Sequence, residues 1–219
     1  MEESGHSLGV GRQPTSATDA VVFGMLAIVS LLAIAPPSRA QSGSTSERTA
    51  TQALRDRDAE IRTALPRAGQ SMSESERRRV EAIVARMVDT RQILESALGP
   101  RWATLTVEER QRLSGAFERR FKISSRSQLD SMRDARIEYL PERRDGSFVV
   151  VPTRVTVGRE TSEVSYAMRQ SESGWSIVDI VFGDVSTVEN YRASFARVMN
   201  REGVEGLIRR LDRGEDDER

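Results

Sequence analysis

Apolar residues recur every three or four positions through the first half of the chain, then switch to alternation. From Glu47 a sparse stripe of Leu54, Ala59, Ile61 and Leu65 predicts a largely polar helix that stops near Pro66. Ser73 and Glu76 form a capping box, each side chain serving a free backbone N–H of the other, so a second helix is expected from there. Its face is built from Val80, Ile83, Val84, Met87, Val88, Ile93, Leu94 and Leu98, and Gly99-Pro100 ends it. A third helix opens on the box Thr106/Glu109, carries Leu113, Phe117 and Phe121, and extends to about Met132.

Four strands are then expected, at 136–140, 147–157, 163–169 and 175–182, with Asp145-Gly146 and Ser173-Gly174 as tight turns. Val149, Val151, Thr153, Val155 and Val157 share one face of the second strand. Tyr166 and Met168 continue it on the third, and Trp175, Ile177, Asp179 and Val181 alternate on the fourth. A further capping box, Ser186 to Glu189, opens a helix bearing Tyr191, Phe195, Val198 and Met199, and Gly203 separates it from a short helix with Leu207, Ile208 and Leu211. Helices, a meander and helices again predict an α+β domain: a four-stranded curved antiparallel sheet, cone-like, covered on one side by N- and C-terminal helices.

Residues 20–35 stand apart as an apolar run, shorter than the roughly 20 residues that span a bilayer. Pro36 and Pro37 break it, and Ser38 and Ala40 supply small residues at the −3 and −1 positions of a cleavage site. Residues 1–40 are therefore expected to be a signal peptide cleaved near Ala40, an uncleaved anchor being the alternative. Residues 41–46 read as a linker, 47–212 as the domain and 213–219 as a charged tail.

Composition narrows the chemistry. There is no cysteine, so no disulfide, thiolate metal site or cysteine nucleophile is available. Export without cysteine suits a bacterial periplasm. The single histidine, His6, lies in the segment expected to be removed. With 33 basic and 33 acidic residues, the chain lacks the positive excess of a nucleic-acid binder. No catalytic constellation, metal-ligand spacing or phosphate loop is seen. Asp179 is the one carboxylate set in an apolar strand; it reads as a structural acid held by Arg192 or by backbone donors, or as a general base in a small pocket. Periodicity alone leaves open whether the space between sheet and helices is filled or hollow.

The segment WSIVDIVFGDVSTVENYRASFARVM, Trp175 to Met199, resembles the signature of the MlaC family, periplasmic phospholipid-binding components of ABC lipid-transport systems once called toluene-tolerance proteins. Trp175, Asp179, Val185, Ser186, Asn190, Tyr191, Arg192 and Phe195 fall at matching positions, and residues 89–103 and 106–120 resemble the family's earlier helices. One departure is the order Gly183-Asp184, where the family has the acid first; it moves the expected corner one residue earlier.

The resemblance implies a non-enzymatic carrier with no cofactor and a phospholipid as cargo. It would exchange lipid between an outer-membrane lipoprotein/porin complex and an inner-membrane ABC transporter with its substrate-binding subunit, maintaining outer-membrane lipid asymmetry. A monomer without nucleic-acid partners is expected. The acyl-chain cleft implied lies between helix positions Val84, Met87, Val88, Phe117, Phe121, Tyr191 and Phe195 and sheet positions Val149, Val151, Val155, Val164, Tyr166, Met168, Trp175 and Ile177. Arg154, Arg169 and Arg192 are the head-group candidates, and Asp179 and Ser186 the structural pair. Two rivals remain at this stage: a lipid-free envelope interaction domain with a filled core, and a cone-shaped enzyme using Asp179.

Overall fold

The computed structural model describes residues 49–66, 70, 72–126 and 135–214. The expected signal peptide, cleavage site and linker, the end of the third helix near Met132 and most of the charged tail lie outside these residues. Among the described residues no helix is long and apolar enough to cross a membrane.

Helix α1 (Ala50–Ala64) starts at Thr49, whose side chain accepts from Gln52 N–H, and buries Leu54 and Ile61. Helix α2 (Glu74–Met87) opens on the predicted reciprocal box of Ser73 and Glu76. The expected continuous second helix does not exist. It breaks at Val88, which is extended (φ −109°, ψ 124°) and bridges in parallel to Ile177, while Asp89 N–H donates to the Ile177 carbonyl at 2.9 Å. Asp89 then caps α3 (Thr90–Leu98) by accepting from Gln92 N–H at 2.9 Å. The apolar spacing survives the break because Val88 is buried at the sheet margin, so periodicity hid the Asp cap.

A short α4 (Pro100–Thr104) carries buried Trp102 and leads to α5 (Val107–Arg126), whose Thr106/Glu109 box forms as predicted. Helix α6 (Thr187–Arg213) kinks at Gly203 (φ 66°, ψ −170°), a backbone state that favours glycine.

The sheet has six strands rather than four: β1 (Arg136–Tyr139), β2 (Arg143–Asp145), β3 (Phe148–Val157), β4 (Glu160–Ser171), β5 (Gly174–Phe182) and β6 (Val185–Ser186). The order is β1-β3-β4-β5-β6, all antiparallel, with β2 also pairing β3. The extra strands β2 and β6 span only three and two residues, too short for alternation to announce them.

Register corrects one face assignment. Met168 pairs with Ile177 but Ala167 pairs with Asp179, so the β4–β5 ladder shifts there and β5 carries an extra residue between the two pairs. A bulge reverses the parity of everything beyond it. Ile180, opposite Tyr166, joins the core face with Ile177, and Asp179 and Val181 move to the other face. The corner before β6 falls at Gly183 (φ 56°), the earlier position that the Gly183-Asp184 order implied.

Candidate functional site

The residues expected to face the helices divide into two groups. Val88, Phe117, Val151, Val155, Val164, Tyr166, Ile177 and Phe195 are buried in one continuous core, with Tyr191 partly buried against it. Phe117 meets Tyr191 edge-on at 5.1 Å and Phe195 edge-on at 5.9 Å, while Tyr191 and Phe195 stack at 5.2 Å. These positions pack within the core among the described residues. Val84 and Phe121 border only a hollow of about 20 Å³.

Met87, Met168 and Trp175 line a cleft of about 400 Å³ between α1, the end of α2 and the β4–β5 tip. Ala53, Leu54 and Arg57 contribute the α1 wall and Arg86 the α2 rim. A neighbouring hollow of about 210 Å³ shares Gln170 and Trp175 with it and adds Val149, Arg143 and Arg144. The lining thus mixes apolar Leu54, Met87, Met168 and Trp175 with polar Gln170, Ser173 and Ser176, and arginines stand at its edges.

Helix α1 is held beside the cleft by buried Ala50, Leu54, Ile61 and Ala64 and by a set of polar contacts. Arg62 Nη2 and the Tyr139 hydroxyl both donate to Asp58 Oδ2, at 3.0 and 3.3 Å, and Arg55 lies over the Tyr139 ring at 4.6 Å. Asp58 Oδ1 is buried without a hydrogen bond among the described residues. Burial pushes the Asp58 carboxyl above its ordinary value, against the opposing pull of Arg62 and Tyr139. Burial likewise raises the phenols of Tyr139 and Tyr166, with the Asp58 charge adding to it. Glu142 accepts from both Thr51 N–H (2.9 Å) and Thr51 Oγ1 (2.7 Å), fixing the start of α1. Glu60 joins α1 to α2, accepting from Arg57 at 2.8 Å and Arg86 at 2.7 Å.

The three head-group candidates are engaged away from the cleft. Arg154 pairs with Glu138 at 2.7 Å, Arg169 donates to Gln92 at 2.5 Å and Asp89 at 3.3 Å, and Arg192 donates to the Ser96 carbonyl at 3.1 Å. Nor does Arg192 hold Asp179. Asp179 accepts instead from Ile180 N–H (2.8 Å), Val188 N–H (3.0 Å) and Ser186 Oγ (2.6 Å). Ser186 Oγ in turn accepts from Glu189 N–H, so the serine half of the expected Ser186/Glu189 box forms, and its hydroxyl proton goes to Asp179. Both oxygens of this acid thus fasten the start of α6 to β5. Among the described residues no group of three or more His, Asp or Glu side chains is placed to hold a metal ion.

The family model for the MlaC protein matches residues 55–213, nearly all of the described chain. The chain belongs to the MlaC family. No curated protein matches it. A phospholipid-binding protein from Ralstonia solanacearum, solved in complex with a phospholipid, has the same fold: TM-score 0.64 and 23% identity over 77% of this chain and 97% of that one. The Trp175–Met199 signature lies inside the MlaC match, and its acid, serine and Trp strand make the α6 anchor and one cleft wall.

Sequence reading missed Ala53, Arg57 and Arg86 as wall residues. Arg57 and Glu60, three apart on α1, look like an ordinary solvated helix pair. Only the tertiary placement of α1 against the β4–β5 tip turns that pair toward a cleft.

Proposed function

We propose that this chain is a periplasmic phospholipid carrier, exchanging glycerophospholipid between an outer-membrane lipoprotein/porin complex and an inner-membrane ABC transporter with its substrate-binding subunit. Maintenance of outer-membrane lipid asymmetry is the role this exchange would serve. The carrying observation is a partly apolar cleft with arginines at its edge, in a chain of the MlaC family whose fold is shared with a protein complexed with phospholipid.

The physics fixes what such a carrier must do. Each methylene removed from water is worth about 0.8 kcal/mol, so acyl tails do not cross an aqueous space unshielded. A volume of about 400 Å³ lies at the small end of the range for ligand pockets. Admitting a second acyl chain therefore requires α1 to move away from the sheet. No catalytic step is assigned: Asp179 serves as a helix anchor. Binding is reversible, and the membrane partners set direction.

Organic extraction of the purified protein followed by mass spectrometry tests the reading. Glycerophospholipid is expected at a substantial fraction of the protein. Ala53→Trp places an indole in the cleft and is expected to abolish loading with little change in melting temperature. Lipid-free wild-type protein, or undiminished loading in the variant, would remove this cleft as the carrier site.

A further inference from the structure

We infer that Arg57 and Arg86, bridged by Glu60, form the head-group subsite of the cleft and select phospholipids of net negative charge over zwitterionic ones. The inference rests on the carrier reading above and goes beyond it to cargo class.

The two guanidiniums come from neighbouring helices and share one carboxylate, Arg57 Nη1 to Glu60 Oε2 at 2.8 Å and Arg86 Nη2 to Glu60 Oε1 at 2.7 Å. Two positive charges against one negative leave an excess of one. The hydrogen bond from Arg57 holds Glu60 below its ordinary carboxyl value, opposed by burial and helped by the charges of Arg57 and Arg86, so the bridge stays ionised at neutral pH. A guanidinium carries five N–H donors, and the bond to Glu60 occupies only part of that set. The Arg57 and Arg86 side chains remain 42% and 53% exposed at the cleft edge, so donors reach a ligand arriving from solvent.

The adjoining hollow adds two more guanidiniums but no further excess: Arg143 and Arg144 line it with Trp175 and Glu142, and Arg143 pairs with Asp145 at 3.4 Å. A lipid whose tails lie on Leu54, Met87, Met168 and Trp175 therefore brings its phosphodiester to a cationic edge. A phosphodiester with an uncharged polar substituent neutralises the excess. A zwitterionic head group adds an ammonium to a rim already rich in arginine and loses part of that gain.

The test is competitive loading. Purified protein is incubated with vesicles of equal phosphatidylglycerol and phosphatidylcholine, separated from them, and its bound lipid quantified by mass spectrometry. Wild-type protein should hold the anionic lipid in about fivefold excess, the scale of a partly exposed charge contact. Arg57→Ala/Arg86→Ala should bring the ratio close to that of the vesicles. Arg86→Gln, a milder change on an exposed helix face, should lower it part of the way and covers the case of a poorly folded double variant. A wild-type ratio equal to that of the vesicles, or a preference unchanged in all variants, overturns the subsite while leaving the carrier reading standing. Complete absence of loaded lipid removes both. Inorganic phosphate without vesicles is the second arm and is expected to leave the thermal transition unshifted. A phosphate-induced shift lost in the double variant would reassign the subsite to free phosphate and overturn the head-group assignment.

Discussion

The helices meet the rest of the molecule in two different ways. Between α5 and α6 the contact is aromatic and closed: Phe117, Tyr191 and Phe195 interlock, and Phe117 is 1% exposed. Along α1 the contact mixes buried Leu54 and Ile61 with polar ties at Asp58, Thr51 and Glu60, and a cleft of about 400 Å³ runs beside it. Opening the first region would expose apolar surface at about 25 cal/mol per Å². Opening the second would expose Leu54 and Ile61 as well, but its polar ties exchange for bonds to water at a net loss of roughly 1 kcal/mol each. On the carrier reading, the first region is the scaffold and the second the seam that would part to admit cargo. A carrier needs both, because cargo must enter without unfolding the domain.

The largest effect that separates the two regions is expected at Val151. It is fully buried on the core face of β3, opposite Tyr166. Reading the sheet face as a cavity wall would make Val151→Glu a lipid-loading variant with the fold intact. In the packed core it buries a carboxylate with no partner, and we expect a loss above about 4 kcal/mol, seen as an unfolded far-ultraviolet circular dichroism spectrum. A folded variant that merely fails to load lipid would show that the boundary between scaffold and seam is drawn in the wrong place.

Asp58 tests how the seam is held. Asp58→Ala leaves Arg62 and the Tyr139 hydroxyl without their acceptor. The expected cost is about 3 kcal/mol, the low end for breaking a buried pair, because the Arg62 side chain keeps 18% exposure. Asp58→Asn preserves an acceptor and removes the titration. Burial raises the carboxyl above its ordinary value of 3.8, so the folded chain binds that proton more tightly than the unfolded chain. The group's contribution is then full below that ordinary value and is lost as pH rises through the folded one. Urea midpoints at pH 4 and pH 7 should therefore shift in favour of the Asn variant as pH rises. A shift in the opposite direction would mean that Arg62, not burial, governs Asp58.

Much of this division was legible in the sequence, and its gaps have physical causes. Capping boxes at Ser73 and Thr106 depend on neighbours along the chain and form where local chemistry places them, whereas the hairpin turns shift by one residue from Asp145-Gly146 to Gly146-Ser147 and from Ser173-Gly174 to Glu172-Ser173. The Trp175-to-Arg192 spacing carried the family, and with it the fold class. The break at Val88 was hidden because its side chain stays buried while its backbone turns to pair with Ile177. The bulge between Ala167 and Met168 was hidden because Ile177, Val178 and Ile180 look alike whichever face they take. Hollow and filled interiors share one hydrophobic pattern, so the sequence could not show that Met87, a core residue like Val88 next to it, also borders the cleft.

Glu60 gives the smallest change in stability and the cleanest contrast with Val151. Its carboxylate is 36% exposed and bridges Arg57 and Arg86, so Glu60→Gln removes two partly solvated ion pairs. Such pairs are worth roughly 0–1 kcal/mol each, and the melting temperature should move by only a few degrees. The charge at the cleft edge rises by one unit, so the preference for anionic over zwitterionic phospholipid should increase above that of the wild type. The two substitutions then act on different quantities: Val151→Glu on folding, Glu60→Gln on what is carried. If Glu60→Gln destabilises the chain as severely as a core change, the bridge across α1 and α2 belongs to the scaffold. The seam would then have to lie elsewhere along α1.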